Sequence, residues 1–176
     1  MAESDTDIEY TERIIPESYH GTNIENARQI KEEGFQPSKG DHQFLGKGVY
    51  FFRKSQWHAE DWARRRFDAI AILQAMVQLG RCLDLDRPKH RRLLEKTYRK
   101  LEERGHGDAS DAAVINFLAT HICEIDTVTA TYIQPKYGEH GRVFEGSRFY
   151  DFVQSLLCVR DSGNILDYEI VHTEPQ

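Results

Sequence analysis

Apolar residues recur along the chain with spacings that predict a mixture of helices and strands. Residues 1–17 hold six acidic residues against one basic residue, so we expect a flexible tail there. Residues 18–22 predict the end of a strand, and a helix follows from Asn23, with Thr22 or Asn23 as its cap. This helix is expected to stop at Gly34, because glycine accepts the left-handed backbone that closes a helix.

The remaining patterns predict several strands and three further helices. Strands are expected at residues 49–52, 69–85, 127–133, 152–160 and 165–172, and helices at 55–67, around 93–101 and from 110 onwards. The last two strands flank the turn-forming residues 161–164, which predicts a hairpin. Because strands and helices do not alternate regularly, we expect an α+β fold with a split, mainly antiparallel sheet and helices packed on it.

Length and charge limit the class of protein. A chain of 176 residues predicts a single domain, here residues 18–176, with a helical insertion at about 86–125. The net charge of −6 argues against nucleic-acid binding by the surface as a whole. The segment 87–107 is locally basic, which fits either a solvated helix face or a docking surface for nucleic acid or an acidic protein.

Cysteine usage and hydropathy indicate a cytoplasmic protein with no membrane contact. Cys82, Cys123 and Cys158 are far apart and form no metal-binding motif, so we expect reduced thiols and no metal site. The N-terminus has no apolar segment typical of a signal peptide. The glycine-rich loop at residues 40–48 fails the spacing of a phosphate-binding P-loop.

Three segments hold the candidate chemistry. They are Tyr-His-Gly-Thr at 19–22, Gly-Lys-Gly-Val-Tyr-Phe at 46–51 and the strand around Gln154. In this order they resemble the His–Tyr–Glu branch of the ADP-ribosyltransferase superfamily, which includes diphtheria toxin and the poly(ADP-ribose) polymerases. The chain is similar to uncharacterised bacterial members, and the best match covers residues 18 to about 67. The resemblance implies a split sheet of the ADP-ribosyltransferase type and NAD as a substrate.

The resemblance also implies roles for the first two segments. His20 would bond a ribose hydroxyl, and Thr22 could help to fix the turn. The main chain of Gly21 would pair with the nicotinamide carboxamide, since a residue without Cβ lets a ligand approach closely. Tyr50 would stack on the nicotinamide ring, and Trp62 would supply a second aromatic wall in preference to Trp57.

The third catalytic position departs from the pattern of the family. A glutamate is usual there, whereas Gln154 is the nearest candidate in this chain, with Asp151 and Glu145 as alternatives. A glutamine side chain donates and accepts hydrogen bonds but cannot act as a general base. We therefore expect a catalytic set of His20, Tyr50 and Gln154 that favours transfer of a single ADP-ribose over polymer formation.

Several functions fit this set. The first is an ADP-ribosyltransferase that modifies a protein or nucleic acid and, if it acts as a toxin, is held by an antitoxin partner. The second is an NAD glycohydrolase, in which water accepts the ADP-ribose. The third is an inactive module that binds NAD or ADP-ribose. The related RNA 2′-phosphotransferases are less favoured, because their additional basic core residues are not recognisable here.

Overall fold

The computed structural model describes residues 8–38, 43–133, 141–150 and 152–175. The strands are β1 (Tyr10–Asn23), β2 (Val49–Arg53), β3 (Ile70–Asp84), β4 (Thr127–Ile133), β5 (Val153–Val159) and β6 (Ile165–Glu174). The helices are α1 (Ile24–Glu33), α2 (Gln56–Arg64), α3 (Pro88–Glu103) and α4 (Asp111–His121). A 3₁₀ turn at Ser162–Asn164 precedes β6.

The strands form one sheet in the order β1-β2-β5-β4-β3-β6, and an additional pairing between β1 and β3 closes the first five into a barrel. Of these pairings, only that of β3 with β4 is parallel. The predicted α+β class and mainly antiparallel pairing are thus confirmed. The predicted split of the sheet is not confirmed. Strand β3 pairs with β1 along one edge and with β6 and then β4 along the other, so the strands form one continuous sheet.

Local signals locate the first two helices. The side chain of Asn23 accepts a hydrogen bond from the amide of Asn26, and Gly34 ends α1 with φ of 81°. The Ser55 hydroxyl caps α2 in the same way, by accepting from the amide of His58. Both helix starts therefore lie where the sequence places them.

The segment expected to be an insertion is the crossover between two parallel strands. Adjacent parallel strands cannot be joined by a tight turn, so the chain must travel from one end of the sheet to the other. Helices α3 and α4 make this connection between β3 and β4. The buried face of α3 consists of His90, Leu93, Thr97 and Leu101, which leaves its basic residues on the surface.

Two sequence expectations differ from the structure at the chain ends. Residues 10–17, expected in the tail, belong to β1, and Ile15 is buried there against β3. Strands β5 and β6 do not form a hairpin, since β4 and β3 lie between them in the sheet. In both cases pairing with distant parts of the chain overrides a local pattern of charged or turn-forming residues.

The two faces of the strands are both packed. Successive side chains of a strand point to opposite faces, so Phe52 packs towards the side of α2, α3 and α4, whereas Phe51 packs on the opposite face with Phe35 and α1. None of the described helices combines the length and apolar character needed to cross a membrane.

Candidate functional site

One cavity of about 830 Å³ brings the sequence-predicted residues together. Its volume lies in the range typical of small-molecule and cofactor sites, about 300–1,000 Å³. The predicted residues that line it are His20, Gly21, Thr22, Tyr50, Trp62 and Gln154. They come from β1, β2, α2 and β5, so four separate elements converge on one space.

The cavity lies where β1 and β2 separate. The register between these strands covers Ser18 with Arg53 and Tyr19 with Phe52. Main-chain groups of alternate residues point to the same edge of a strand, and the Glu17 carbonyl points towards β2, where it accepts the amide of Lys54 at 2.7 Å. The N–H and C=O of Gly21 consequently face the same edge, beyond the paired region.

Gly21 is a glycine for a reason that the sequence did not suggest. A Cβ at this position would lie 2.3 Å from the carbonyl oxygen of Ala59 and 3.2 Å from the Cβ of Ala63. The missing side chain therefore lets α2 pack directly on β1. The absent side chain therefore serves the packing of α2, whereas the main chain of Gly21 faces the cavity.

His20 is held by one hydrogen bond and two ring contacts. Its Nδ1 lies 2.8 Å from the main-chain oxygen of Tyr50, and its ring meets Phe35 and Phe51 edge-on. A carbonyl only accepts, so Nδ1 donates and the neutral ring keeps an acceptor at Nε2. Burial lowers the pKa of His20 from its ordinary value, although the bond to Tyr50 opposes this. The neutral form is therefore favoured at physiological pH.

Tyr50 is anchored through its hydroxyl. This group donates to the carbonyl of Gly46 at 2.7 Å and accepts the amide of Leu45 at 2.9 Å. Burial raises the pKa of the Tyr50 hydroxyl, and the nearby Cys158 thiol adds to this effect. Tyr50 is thus a neutral aromatic residue whose ring is fixed at the cavity and whose polar end is bound to its own loop.

A second layer of contacts holds that loop in place. The Oδ1 of Asn116, in α4, accepts the amide of Lys47 at 3.0 Å and the Nη1 of Arg160 at 2.8 Å. The same Nη1 also donates to the Lys47 carbonyl at 3.2 Å. Sequence reasoning missed Asn116 and Arg160, since nothing in the pattern links them to a loop far away along the chain.

Gln154 reaches the cavity through a cross-strand pair. It lies opposite Tyr132 of β4, whose hydroxyl donates to its Oε1 at 3.1 Å. The Gln154 side chain is buried, with 4% of its surface exposed. Of the two alternatives, Glu145 is exposed and does not line the cavity, and Asp151 lies outside the described residues.

Trp62 lines the cavity but differs from a simple aromatic wall. The guanidinium of Arg66 lies over its ring at 4.1 Å from the centroid, so one face of the indole is covered. Trp57 is 54% exposed, contacts Phe152 and is not among the lining residues. Of the two tryptophans, Trp62 therefore lies at the cavity, and its expected role as an aromatic wall stays a prediction.

An aromatic rim also borders the cavity, and the sequence did not single it out. It consists of Phe44, Tyr132 and Phe152. The rings of Phe44 and Tyr132 stand 4.6 Å apart at a tilt of 32°. Phe44 belongs to the glycine-rich loop and Tyr132 to β4, so only the fold could show that they meet.

The cysteines and the basic residues of α3 lie outside the lining of this cavity. Within the described ranges, no group of three or more histidine, cysteine or acidic side chains is arranged to hold a metal ion. The cysteines are free thiols. The basic residues of α3 do not line the cavity.

Comparison with known proteins gives little functional information. No protein-family model matches this chain. An uncharacterised protein of the archaeon Methanocaldococcus jannaschii is 30% identical over 116 residues. The match covers 57% of this chain and 54% of that protein, so the chain spans about half the length of its curated relative.

Proposed function

We propose that the protein is an NAD-dependent ADP-ribosyltransferase of the His–Tyr–Glu type, which transfers a single ADP-ribose to a macromolecular acceptor. One observation carries this proposal: His20, Gly21, Tyr50 and Gln154 line the same cavity. Under this proposal, the closed barrel is a variant of the split sheet that the resemblance to the superfamily implies.

The nicotinamide end of NAD fits the part of the cavity between β1 and β2. The main-chain N–H and C=O of Gly21 point towards this gap and match the carbonyl and amino groups of the carboxamide. The ring of Tyr50, fixed by its hydroxyl, offers a flat face for stacking, which is worth about 1 kcal/mol beyond the buried area.

The ribose lies between His20 and Gln154 in this proposal. The bond from C1′ to the nicotinamide nitrogen breaks, its electron pair leaves with nicotinamide, and positive charge develops on the ribose. The neutral His20 ring accepts a hydrogen bond from a ribose hydroxyl at Nε2 and thereby orients the sugar. The Gln154 amide places a polar group beside the developing charge, which a carboxylate would stabilise more strongly.

The acceptor then completes the reaction. A nucleophile on the target forms a bond to C1′ and releases its proton to solvent, because Gln154 cannot take it as a base. This limitation favours acceptors that are already nucleophilic, and it favours a single transfer over chain elongation.

Labelled NAD tests the proposal. The protein is incubated with NAD labelled in the adenylate half and a cell lysate, and three readouts are followed: labelled macromolecules, free ADP-ribose and free nicotinamide. We expect labelled macromolecules with the wild-type chain and with Trp57→Ala, a matched aromatic control outside the cavity lining. His20→Ala and Tyr50→Ala should both abolish labelling.

The same readouts separate the alternative functions. Free ADP-ribose without a labelled macromolecule would identify an NAD glycohydrolase instead. NAD binding by calorimetry with no nicotinamide release would leave only a binding module. Absence of both binding and turnover would overturn the proposal in all its forms.

A further inference from the structure

Three consecutive arginines at the end of α2 have different surroundings. Arg64 is bound by Glu60 at 3.0 Å and by Glu174 through its Nε at 3.0 Å. Arg65 forms an ion pair with Asp61 at 2.9 Å. These five charged side chains lie on the surface of the helix or beside it.

Arg66 differs from both of its neighbours. Its guanidinium rests on the ring of Trp62, and its Nη1 donates to the Trp62 carbonyl at 3.3 Å. In the part of the chain that the structure describes, no carboxylate lies within ion-pair distance of Arg66. Arg65 and Arg66 line the cavity, whereas Arg64 does not. Arg66 is thus a cavity-lining cation without an acidic partner in the described chain.

The surroundings of this guanidinium favour an anionic ligand. The contact with the indole face and the hydrogen bond to the Trp62 carbonyl restrict the guanidinium to the edge of the cavity. A guanidinium held in this way forms paired hydrogen bonds to phosphate oxygens with little further ordering. Asn26 of α1, which has a neutral amide side chain, lines the same cavity. Asp61 is the acidic side chain among the lining residues, and Arg65 neutralises it.

We propose that Arg66, held against Trp62, forms a diphosphate subsite of the cavity. This inference rests on the proposed function, since it assigns the diphosphate of NAD to the α2 side and the nicotinamide riboside to the β1–β2 gap. Trp62 then acts as the support of a cation rather than as a nicotinamide wall. Arg66 also bonds the C-terminal end of α2, so the test has to separate ligand binding from helix capping.

Calorimetric titrations with three ligands make that separation. NAD and ADP-ribose contain the diphosphate, whereas nicotinamide riboside lacks it. We expect Arg66→Gln to weaken the binding of NAD and ADP-ribose by about tenfold or more and to leave nicotinamide riboside unchanged, as charge-assisted hydrogen bonds are lost. Arg64→Gln, the matched control two residues earlier, should bind all three ligands like the wild type.

Each other outcome has a distinct meaning. If Arg66→Gln binds NAD as tightly as the wild type, the diphosphate subsite is wrong and the proposed function stands. If Arg66→Gln lowers the melting temperature and weakens all three ligands equally, Arg66 only caps the helix, and the inference also fails. If the wild type binds none of the three, the proposed function itself is overturned.

Discussion

The cavity has two walls that are built in different ways. The first, here called the β1–α2 wall, consists of His20, Gly21 and Trp62. It depends on direct packing of a helix on a strand, because a Cβ at Gly21 would collide with the Ala59 carbonyl. The second, the β4–β5 wall, consists of Tyr132 and Gln154, which meet across two paired strands.

The contacts of the β1–α2 wall are rigid, whereas those of the β4–β5 wall can adjust. Main-chain atoms of α2 and β1 cannot move apart without shifting whole elements, so a change on the β1–α2 wall should affect stability and binding together. The β4–β5 wall presents side chains that extend from an intact sheet. A change there should affect the chemistry with little effect on folding.

The largest effect is expected for Gly21→Ala. The added methyl group would lie 2.3 Å from the Ala59 carbonyl oxygen, so α2 has to shift. Overpacking of this kind lowers the free energy of unfolding by about 1–3 kcal/mol, and displacement of the site reduces turnover by about 100-fold. Urea unfolding and nicotinamide release measure the two effects. Gly107→Ala is the control, since the nearest side-chain atom there is 3.5 Å from the added Cβ. If this control also loses stability or turnover, the loss in Gly21→Ala does not come from the contact with α2.

Gln154→Glu should raise the rate. The two side chains have nearly the same shape, and a glutamate oxygen can still accept the hydroxyl of Tyr132. The added charge would stabilise the ribosyl cation, and we expect an increase of about tenfold in nicotinamide release. Ser155→Glu serves as the control, because the side chain at position 155 points to the other face of β5. A Gln154→Glu protein that is stable but no faster would argue against the position of Gln154 beside the ribose.

Asn116→Ala tests how Tyr50 is held. The substitution removes the shared acceptor of Lys47 and Arg160, so the Lys47 amide loses its partner while Arg160 keeps its bond to the Lys47 carbonyl. We expect the KM for NAD to rise by about fivefold, with a smaller change in kcat. This increase corresponds to the usual free-energy cost of leaving a hydrogen-bond donor without its acceptor. Asn116→Asp keeps the acceptor oxygen and should restore the KM. An equal loss in both variants would show that the contact does not act through the loop.

Tyr132→Phe should have a modest effect confined to catalysis. One neutral hydrogen bond to Gln154 is lost, which corresponds to about 1 kcal/mol and a decrease of about fivefold in kcat. The unfolding midpoint in urea should stay close to that of the wild type. A large drop in stability would contradict the distinction between the two walls.

The smallest effect concerns the pH dependence of stability. Burial lowers the pKa of His20, so the unfolded chain binds a proton more readily than the folded one. Stability from this residue is present above the unfolded pKa of about 6.5 and declines as the pH falls below it. Urea unfolding between pH 7.5 and 5 should show a shallower decline for His20→Gln. His90→Gln is the comparison variant, because the pKa of His90 is also lowered by burial but its ring lies outside the cavity lining.

Much of the β1–α2 wall could be predicted from local sequence. The cap Ser55 and the alanines of α2 are short-range signals, each recognisable within a few residues, as are the cap Asn23 and the stop at Gly34 of the neighbouring α1. His20 and Tyr50 stand in motifs whose order along the chain was already informative. The reason for Gly21, however, required the position of Ala59.

The β4–β5 wall could be predicted only in part. Residues 127–133 and 152–160 were recognisable as strands, but their partners were not, since strand propensity describes a half-buried surface and not its neighbour. Thus the Tyr132–Gln154 pair, the placement of Phe44 and the separation of β5 from β6 were not predictable.

The amino-acid sequence by itself determined the α+β class and the starts of α1, α2 and α4, because these depend on side chains a few positions apart, whereas α3 begins at Pro88, before the expected residues 93–101. Only the tertiary structure decided that β1 and β3 close a barrel, that Asn116 and Arg160 support the Tyr50 loop, and that Arg66 covers Trp62. Such contacts join residues whose proximity arises from the folding of the whole chain, and no local pattern encodes it.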